Sequence, residues 1–299
     1  MNMKNTKPKI FLKTDICNII NDAITEINGI RNKLDNIETE QWLLKAIYIY
    51  GYTIYESTLY KTYYRFLCAF PERIKIEDKV KFDKELYEKS LVIPFVEYAA
   101  SKFAQNFGHG SMQVLLKKYD EVTKIAFAES DITRCSLMPL LNKYKTGRNT
   151  LAHQGRIESN LSVQDVIKNL RIIQIFLEKI KKQTLCKYKR FDKLYLIKDS
   201  WQYLFNDDGL LQFERCWNIR HNTLYVNKDY LDRIAGVLSS SEKMMLLLFM
   251  ANYNPLICKD SLSINDITPI ASLDDCNKDK VAYIIELFMK YPVLLQSEI

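Results

Sequence analysis

Glycine and proline are scarce, at 8 and 7 of 299 residues. Sheets joined by many tight turns draw heavily on both, so an all-β fold is not expected. The seven cysteines are scattered, odd in number and form no C-x-x-C pair. That pattern suits reduced thiols in the cytosol better than a disulfide framework. Histidine occurs only three times, as His109, His153 and His221, away from any cysteine pair or acidic cluster. A structural zinc site is therefore not expected. The basic N-terminus MNMKNTKPKIFLK lacks an apolar core, so no signal peptide is read there. No uncharged apolar run approaches the ~18 residues of a membrane span. P-loop, G-x-S-x-G, H-E-x-x-H and dinucleotide fingerprints are absent, as is any internal repeat. No cofactor is implied.

What remains is a chain that is 47% hydrophobic, enough for a sizeable core, and long enough for one large or two ordinary domains. Its net charge of +7 is compatible with an anionic partner without identifying one. Hydrophobic spacing points to helices. Thr14-Asp15 can cap a helix reaching about residue 37, with Ile16, Ile20, Ile24 and Ile27 on one face. Residues 39–70, from a Thr39 N-cap to the stop at Pro71, form the strongest helical signal. This segment is apolar nearly all round and carries seven tyrosines, which predicts a central helix buried on several sides. Gly51 near its middle suits close packing or a kink. Residues 71–93 mix Lys and Glu and suit a solvated surface segment. Further helices are expected over residues 95–107 after Pro94, from Ser111, and, after Thr133 or Ser136, through Leu140, Leu141 and Tyr144. Ser162-x-x-Asp165 should open another, reaching about Leu185. The expected fold class is mainly α, with a helical bundle over 10–185 and a smaller α or α+β region over 195–299. Asp207-Asp208-Gly209 suggests a hairpin turn there. Ser239 and Asp274-Asp275 mark two later helix starts.

The residues with the clearest chemistry are Arg148-Asn149-Thr150-Leu151-Ala152-His153-Gln154-Gly155. Arg148 is permanently cationic, with a planar fork suited to phosphate. His153 can give or take a proton near neutral pH, and Asn149 adds a neutral donor and acceptor. Cleaving RNA without a metal needs such a set: a 2′-OH must lose its proton, the phosphorane charge must be neutralised, and the 5′-oxygen must leave. DNA lacks the 2′-OH. On a regular helix Asn149 and His153 lie within about 40° of each other, whereas Arg148 and His153 are about 140° apart. Either Arg148 sits in a non-helical first turn after Gly147, or a second copy completes the site.

Glu56 is the only acid between Trp42 and Phe70. A carboxylate in so apolar a helix needs a partner, and Arg148 is the candidate.

The R-N-x-x-x-H element within an all-helical chain resembles the HEPN family, whose signature is Arg, four to six residues, then His. Four residues separate Arg148 from His153, and Asn149 fits the polar position after the arginine. The resemblance covers roughly residues 10–185. It implies a helical bundle that forms a homodimer, with two motifs facing each other across a cleft. It also implies metal-independent endoribonuclease activity of the toxin–antitoxin or antiphage kind, and an acid beside the motif arginine, a place for Glu56. An antitoxin or another regulatory partner would restrain such an enzyme. Members controlled by nucleotidylation carry a tyrosine two residues after the histidine; this chain has Gly155, so that control is not expected.

Lys143 and Lys145 flank the octet, and no acid lies between Asp131 and Glu158, which would draw a phosphate backbone. The segment 181–193 adds Lys187, Lys189 and Arg190 interleaved with Tyr188 and Phe191, followed by Tyr195. That pattern suits single-stranded RNA or an ordinary basic linker. The expectation is an RNA-cleaving enzyme with Arg148, Asn149, His153 and Glu56 at its centre. The alternative is a non-catalytic helical module binding RNA or protein, with His153 satisfied inside the bundle.

Overall fold

The computed structural model describes residues 6–34, 40–74, 95–105, 107, 111–125, 137–154, 161–205, 209–254 and 269–296. Among these the chain is mainly helical, with one two-stranded sheet. It divides into two compact bodies. One is Lys13–Lys189; the other is Arg190–Ile299 together with the N-terminal segment up to Leu12. Residues 10–12, expected with the first body, are held in the second. The Leu12 N–H donates to the Tyr291 hydroxyl, and the Lys290 ammonium donates to the Ile10 carbonyl.

The first body contains α1 (Lys13–Leu34), α2 (Gln41–Ala69), α3 (Phe95–Gln105), α4 (Met112–Thr123), α5 (Leu137–Gln154) and α6 (Val163–Lys187). The central helix is α2, which packs against all five others. Its buried face is aromatic: Tyr52, Tyr55 and Phe66 are fully enclosed. Most tyrosine and threonine hydroxyls brought into such a core are paired. The Tyr55 hydroxyl donates to the Met112 sulfur at 3.1 Å, and Tyr119 donates to Thr62 at 2.9 Å. Thr58 and Thr62 donate back to carbonyls of their own helix. On α1, Ile16, Ile20 and Ile27 are buried, and α1 packs along α6.

The helix ends follow local rules with some exceptions. Thr39 lies outside the described residues. Glu40 occupies the N-cap position of α2 without a side-chain cap bond. Gln41 instead bonds both backbone groups of Leu161, at 2.8 and 3.2 Å, tying the start of α2 to the entry of α6. Pro71 opens a 3₁₀ turn to Arg73. The Arg73 guanidinium donates to the Val122 carbonyl and the Tyr188 hydroxyl, and it lies 3.7 Å from the Phe70 ring centre. Ser111 caps α4, and Ser162 with Asp165 forms the expected capping box of α6. Pro94, His109, Thr133, Ser136, Gly155, Asp207 and Asp208 lie outside the described residues.

The second body contains α7 (Lys193–Phe205), a single turn α8 (Phe213–Cys216), β1 (Trp217–Arg220), β2 (Thr223–Val226), α9 (Lys228–Ile234), α10 (Ser240–Ala251) and α11 (Asp275–Lys290). Its core is built around Trp201, whose ring meets Trp217 and Phe249 edge-on at 5.4 Å, and whose N–H donates to the Leu211 carbonyl. The strands pair as an antiparallel hairpin turning at His221-Asn222. Both turn residues have positive φ, 49° and 58°, as a tight two-residue connection requires. His221 is thus a turn residue. Ser239 with Glu242, and Asp274, cap α10 and α11. Among the described residues no helix is long and apolar enough to cross a membrane.

Candidate functional site

Arg148 lies within the continuous helix α5, followed by helical residues as far as Gln154. The non-helical first turn considered from Gly147 is not formed, because Gly147 has a different use. A Cβ at Gly147 would stand 2.5 Å from the Tyr48 hydroxyl. The mirror relationship holds on α2: a Cβ at Gly51 would stand 2.8 Å from the Tyr144 hydroxyl and 2.5 Å from Leu170 Cδ2. Each glycine therefore makes room for a tyrosine of the facing helix. The Tyr144 hydroxyl donates to the Tyr48 carbonyl at 2.6 Å, and the Tyr48 hydroxyl donates more weakly to the Tyr144 carbonyl at 3.4 Å. The two rings tilt together with centres 4.4 Å apart. A repeated Tyr-x-x-Gly, at 48–51 and 144–147, thus joins α2 to α5. The Tyr-x-x-Gly spacing on two helices is the only trace of this joint in the sequence.

With the helices so joined, Arg148 faces α2. One guanidinium nitrogen, Nη2, donates to Glu56 Oε2 at 3.1 Å, and Nη1 donates to Asn149 Oδ1 at 3.0 Å. The expected partnership of Glu56 with Arg148 is present. Its two side chains are 30% and 26% exposed, so the pair sits at the edge of the core, with solvent access. The guanidinium carbon is 5.5 Å from the Tyr52 ring centre, within the range of a cation–π contact. Guanidinium carries five N–H donors, so Glu56 and Asn149 leave further donors on both Nη atoms. Arg148 Nε and the Tyr52 hydroxyl are buried and, among the described residues, hydrogen-bond to nothing.

Burial pushes the Tyr52 phenol well above its ordinary range; the Glu56 charge adds to this and Arg148 opposes it. Tyr48 is pushed up to about 12, by burial first and by the Asp165 charge second. Both phenols stay neutral at physiological pH; Tyr52 meets the guanidinium through its ring, and the Tyr48 hydroxyl bonds the Tyr144 carbonyl.

His153 does not join this group. It follows Arg148 by about 140° around α5, and its side chain is exposed near the helix end. Glu56, Arg148 and Asn149 are brought together; His153 is exposed, on the Asn149 side of α5 and away from the face that carries Arg148. The alternative of a His153 satisfied inside the bundle is not what the structure has.

Of the basic residues, Lys143 is exposed and Lys145 half-buried on α5. Lys187 ends α6 and Lys189 follows it, both exposed in the first body. Lys189 offers its carbonyl to the Lys13 ammonium at 3.3 Å. Arg190, also exposed, belongs to the second body and pairs with Asp199 at 3.3 Å. The aromatic part of this segment needs correction. Tyr188 is buried and donates to the Thr123 carbonyl, so it offers no face to a base. Phe191 packs edge-on against Phe11, and only Tyr195 is openly exposed. The helix α6 continues to Lys187, so Lys181 and Lys182 are helical residues rather than a linker.

Among the described residues no cluster of three or more His, Cys, Asp or Glu is arranged to hold a metal ion. Among the described residues, Cys17, Cys186, Cys216 and Cys276 are free thiols. No family model, no curated protein and no solved structure matches the chain.

Proposed function

We propose that the chain is a metal-independent endoribonuclease of HEPN type, acting as a homodimer in toxin–antitoxin or antiphage defence. The observation that carries the reading is the placement of Arg148: paired with Glu56, steadied by Asn149, and still provided with free N–H donors at the solvent edge. A guanidinium so held is preorganised to receive a phosphate, and preorganised charge is the most effective stabiliser of a phosphorane. In the proposed reaction the ribose 2′-oxygen gives up its proton and attacks phosphorus. The 5′-oxygen leaves and takes up a proton, giving a 2′,3′-cyclic phosphate and a 5′-hydroxyl. Arg148 neutralises the charge that develops on phosphorus, and His153 serves as the proton carrier.

Because Arg148 and His153 leave α5 on different faces, one copy does not supply both groups to one phosphate from a rigid helix. The reading therefore assigns Arg148 and His153 of each cleavage centre to two copies. Lys143, Lys145, Lys187, Lys189 and Arg190 would add cationic contacts to the RNA backbone. The test is cleavage of RNA by the purified chain with EDTA present, comparing the parent with His153→Ala. Cleavage by the parent and none by the variant supports the reading; equal cleavage by both, or none by either, counts against it.

A further inference from the structure

Beside the Arg148–Glu56 pair the surface opens into a cleft of about 380 Å³ between α2, α3 and α4. Glu56 forms one end of its lining, and Tyr60, Phe107 and Leu115 contribute ring and aliphatic surface. Its size falls within the range of small-ligand sites, and its walls are mostly apolar with a few polar groups, as such sites are. The cleft does not stand alone. Glu56, Tyr60 and Tyr64 are spaced i, i+4, i+8 on α2, so they follow one another along one side of the helix. The rings of Tyr60 and Tyr64 are nearly parallel, 7° between planes, with centres 6.5 Å apart. Both residues are half-buried, so neither is closed off from solvent.

We infer that this cleft and stripe form the nucleobase track of the RNA site: a base next to the phosphate held by Arg148 enters the cleft and stacks on Tyr60. The inference rests on the ribonuclease reading, because the phosphate at Arg148 sets where the base can reach. Several features favour single-stranded RNA as the occupant. An aromatic face adjoining a cation is the usual combination for unpaired nucleic acid, since every base has a π-face and every link a phosphate. Among the described residues that line the cleft, Glu56 alone is charged, and a carboxylate can accept from the N–H groups of a base edge. Duplex RNA keeps its bases stacked on each other and would leave the cleft unused. Tyr60 acts here through its ring rather than its hydroxyl.

The test is a cycle between protein and RNA, using the full chain and a short 2′-O-methyl oligoribonucleotide that cannot be cleaved. Binding is followed by fluorescence anisotropy while one abasic nucleotide is walked along the strand. For the parent, one position should be sensitive, with affinity falling about tenfold when its base is removed. Tyr60→Ala and Tyr60→Leu should bind the intact strand about tenfold more weakly and be indifferent to the abasic substitution at that position. Tyr60→Phe should recover the sensitivity. Such a coupling is not produced by a general loss of folding, which would weaken all strands alike. If Tyr60→Ala and Tyr60→Leu keep the parental abasic profile while the parent cleaves ordinary RNA in EDTA, the track is overturned and the ribonuclease reading stands. A parent that neither binds nor cleaves RNA overturns both.

Discussion

Arg148 and Glu56 lie 92 positions apart in the chain and meet at 3.1 Å. Neither is deeply buried, so the pair contributes little to stability: an exposed ion pair is worth about 0.2–1 kcal/mol. Its value is positional. Glu56→Gln keeps the shape, removes the charge and should slow cleavage of RNA, while the thermal midpoint moves by only a few degrees. Arg148→Lys retains the charge but not the planar fork and should lose activity as well. Steady-state cleavage and calorimetry on both variants check this; a Glu56→Gln protein as active as the parent would contradict it.

His153 is exposed, and its replacement should leave folding intact. His153→Ala is expected to reduce cleavage by about 10²- to 10⁴-fold, the usual worth of a positioned proton carrier, with no loss of stability beyond about 0.5 kcal/mol. Single-turnover cleavage and a denaturant titration measure the two quantities separately.

Assignment of Arg148 and His153 to different copies makes a mixing experiment informative. Arg148→Ala and His153→Ala proteins should each be inactive alone. Once their subunits exchange, mixed dimers hold one centre with both groups intact, and activity should return to roughly a quarter of the parental level. If each copy carries a complete centre, mixing restores nothing.

Gly51 and Gly147 should both resist substitution. Alanine normally favours a helix interior over glycine by about 1 kcal/mol. Here the added Cβ would run into Tyr144 and Leu170 at position 51, and into Tyr48 at position 147. Overpacking of this kind typically costs about 1–3 kcal/mol. Gly51→Ala should be the worse, because Leu170 is fully buried and Tyr144 is held by a 2.6 Å hydrogen bond. Urea unfolding of the two variants tests the order. Both should also lose cleavage activity, since the joint they disturb sets Arg148 against Glu56.

The start of α6 carries a pH dependence. Hydrogen bonds from the Ser162 side chain and backbone hold the Asp165 carboxyl below its ordinary range. A carboxyl depressed in the folded state adds stability that is present above its ordinary range and lost as pH falls through the folded value. Ser162→Ala should therefore remove about 1 kcal/mol at neutral pH and flatten the loss of stability in acid. Thermal midpoints of parent and variant between pH 7 and pH 3 test both parts.

Much of this molecule follows from the order of its residues. The period of isoleucines in α1, the all-round apolar character of α2 and the capping boxes at Ser162 and Ser239 are local signals, because a helix needs only neighbours three and four positions away to declare itself. The candidate role of Glu56 was legible for the same kind of reason: one carboxylate in an apolar helix must find a partner. The second body was less legible. Residues 193–205, rich in aromatics, become α7 rather than strand, because packing around Trp201 outweighs local β preference. The hairpin turns at His221-Asn222, a pair whose turn conformation depends on the pairing of Trp217–Arg220 with Thr223–Val226. Tertiary structure alone decided how α5 meets α2. Two glycines and two tyrosines set that contact, and their complementarity exists only once the helices are face to face. It also decided that Tyr188 is buried and that α5 runs unbroken through Arg148, which keeps the helical separation of Arg148 from His153.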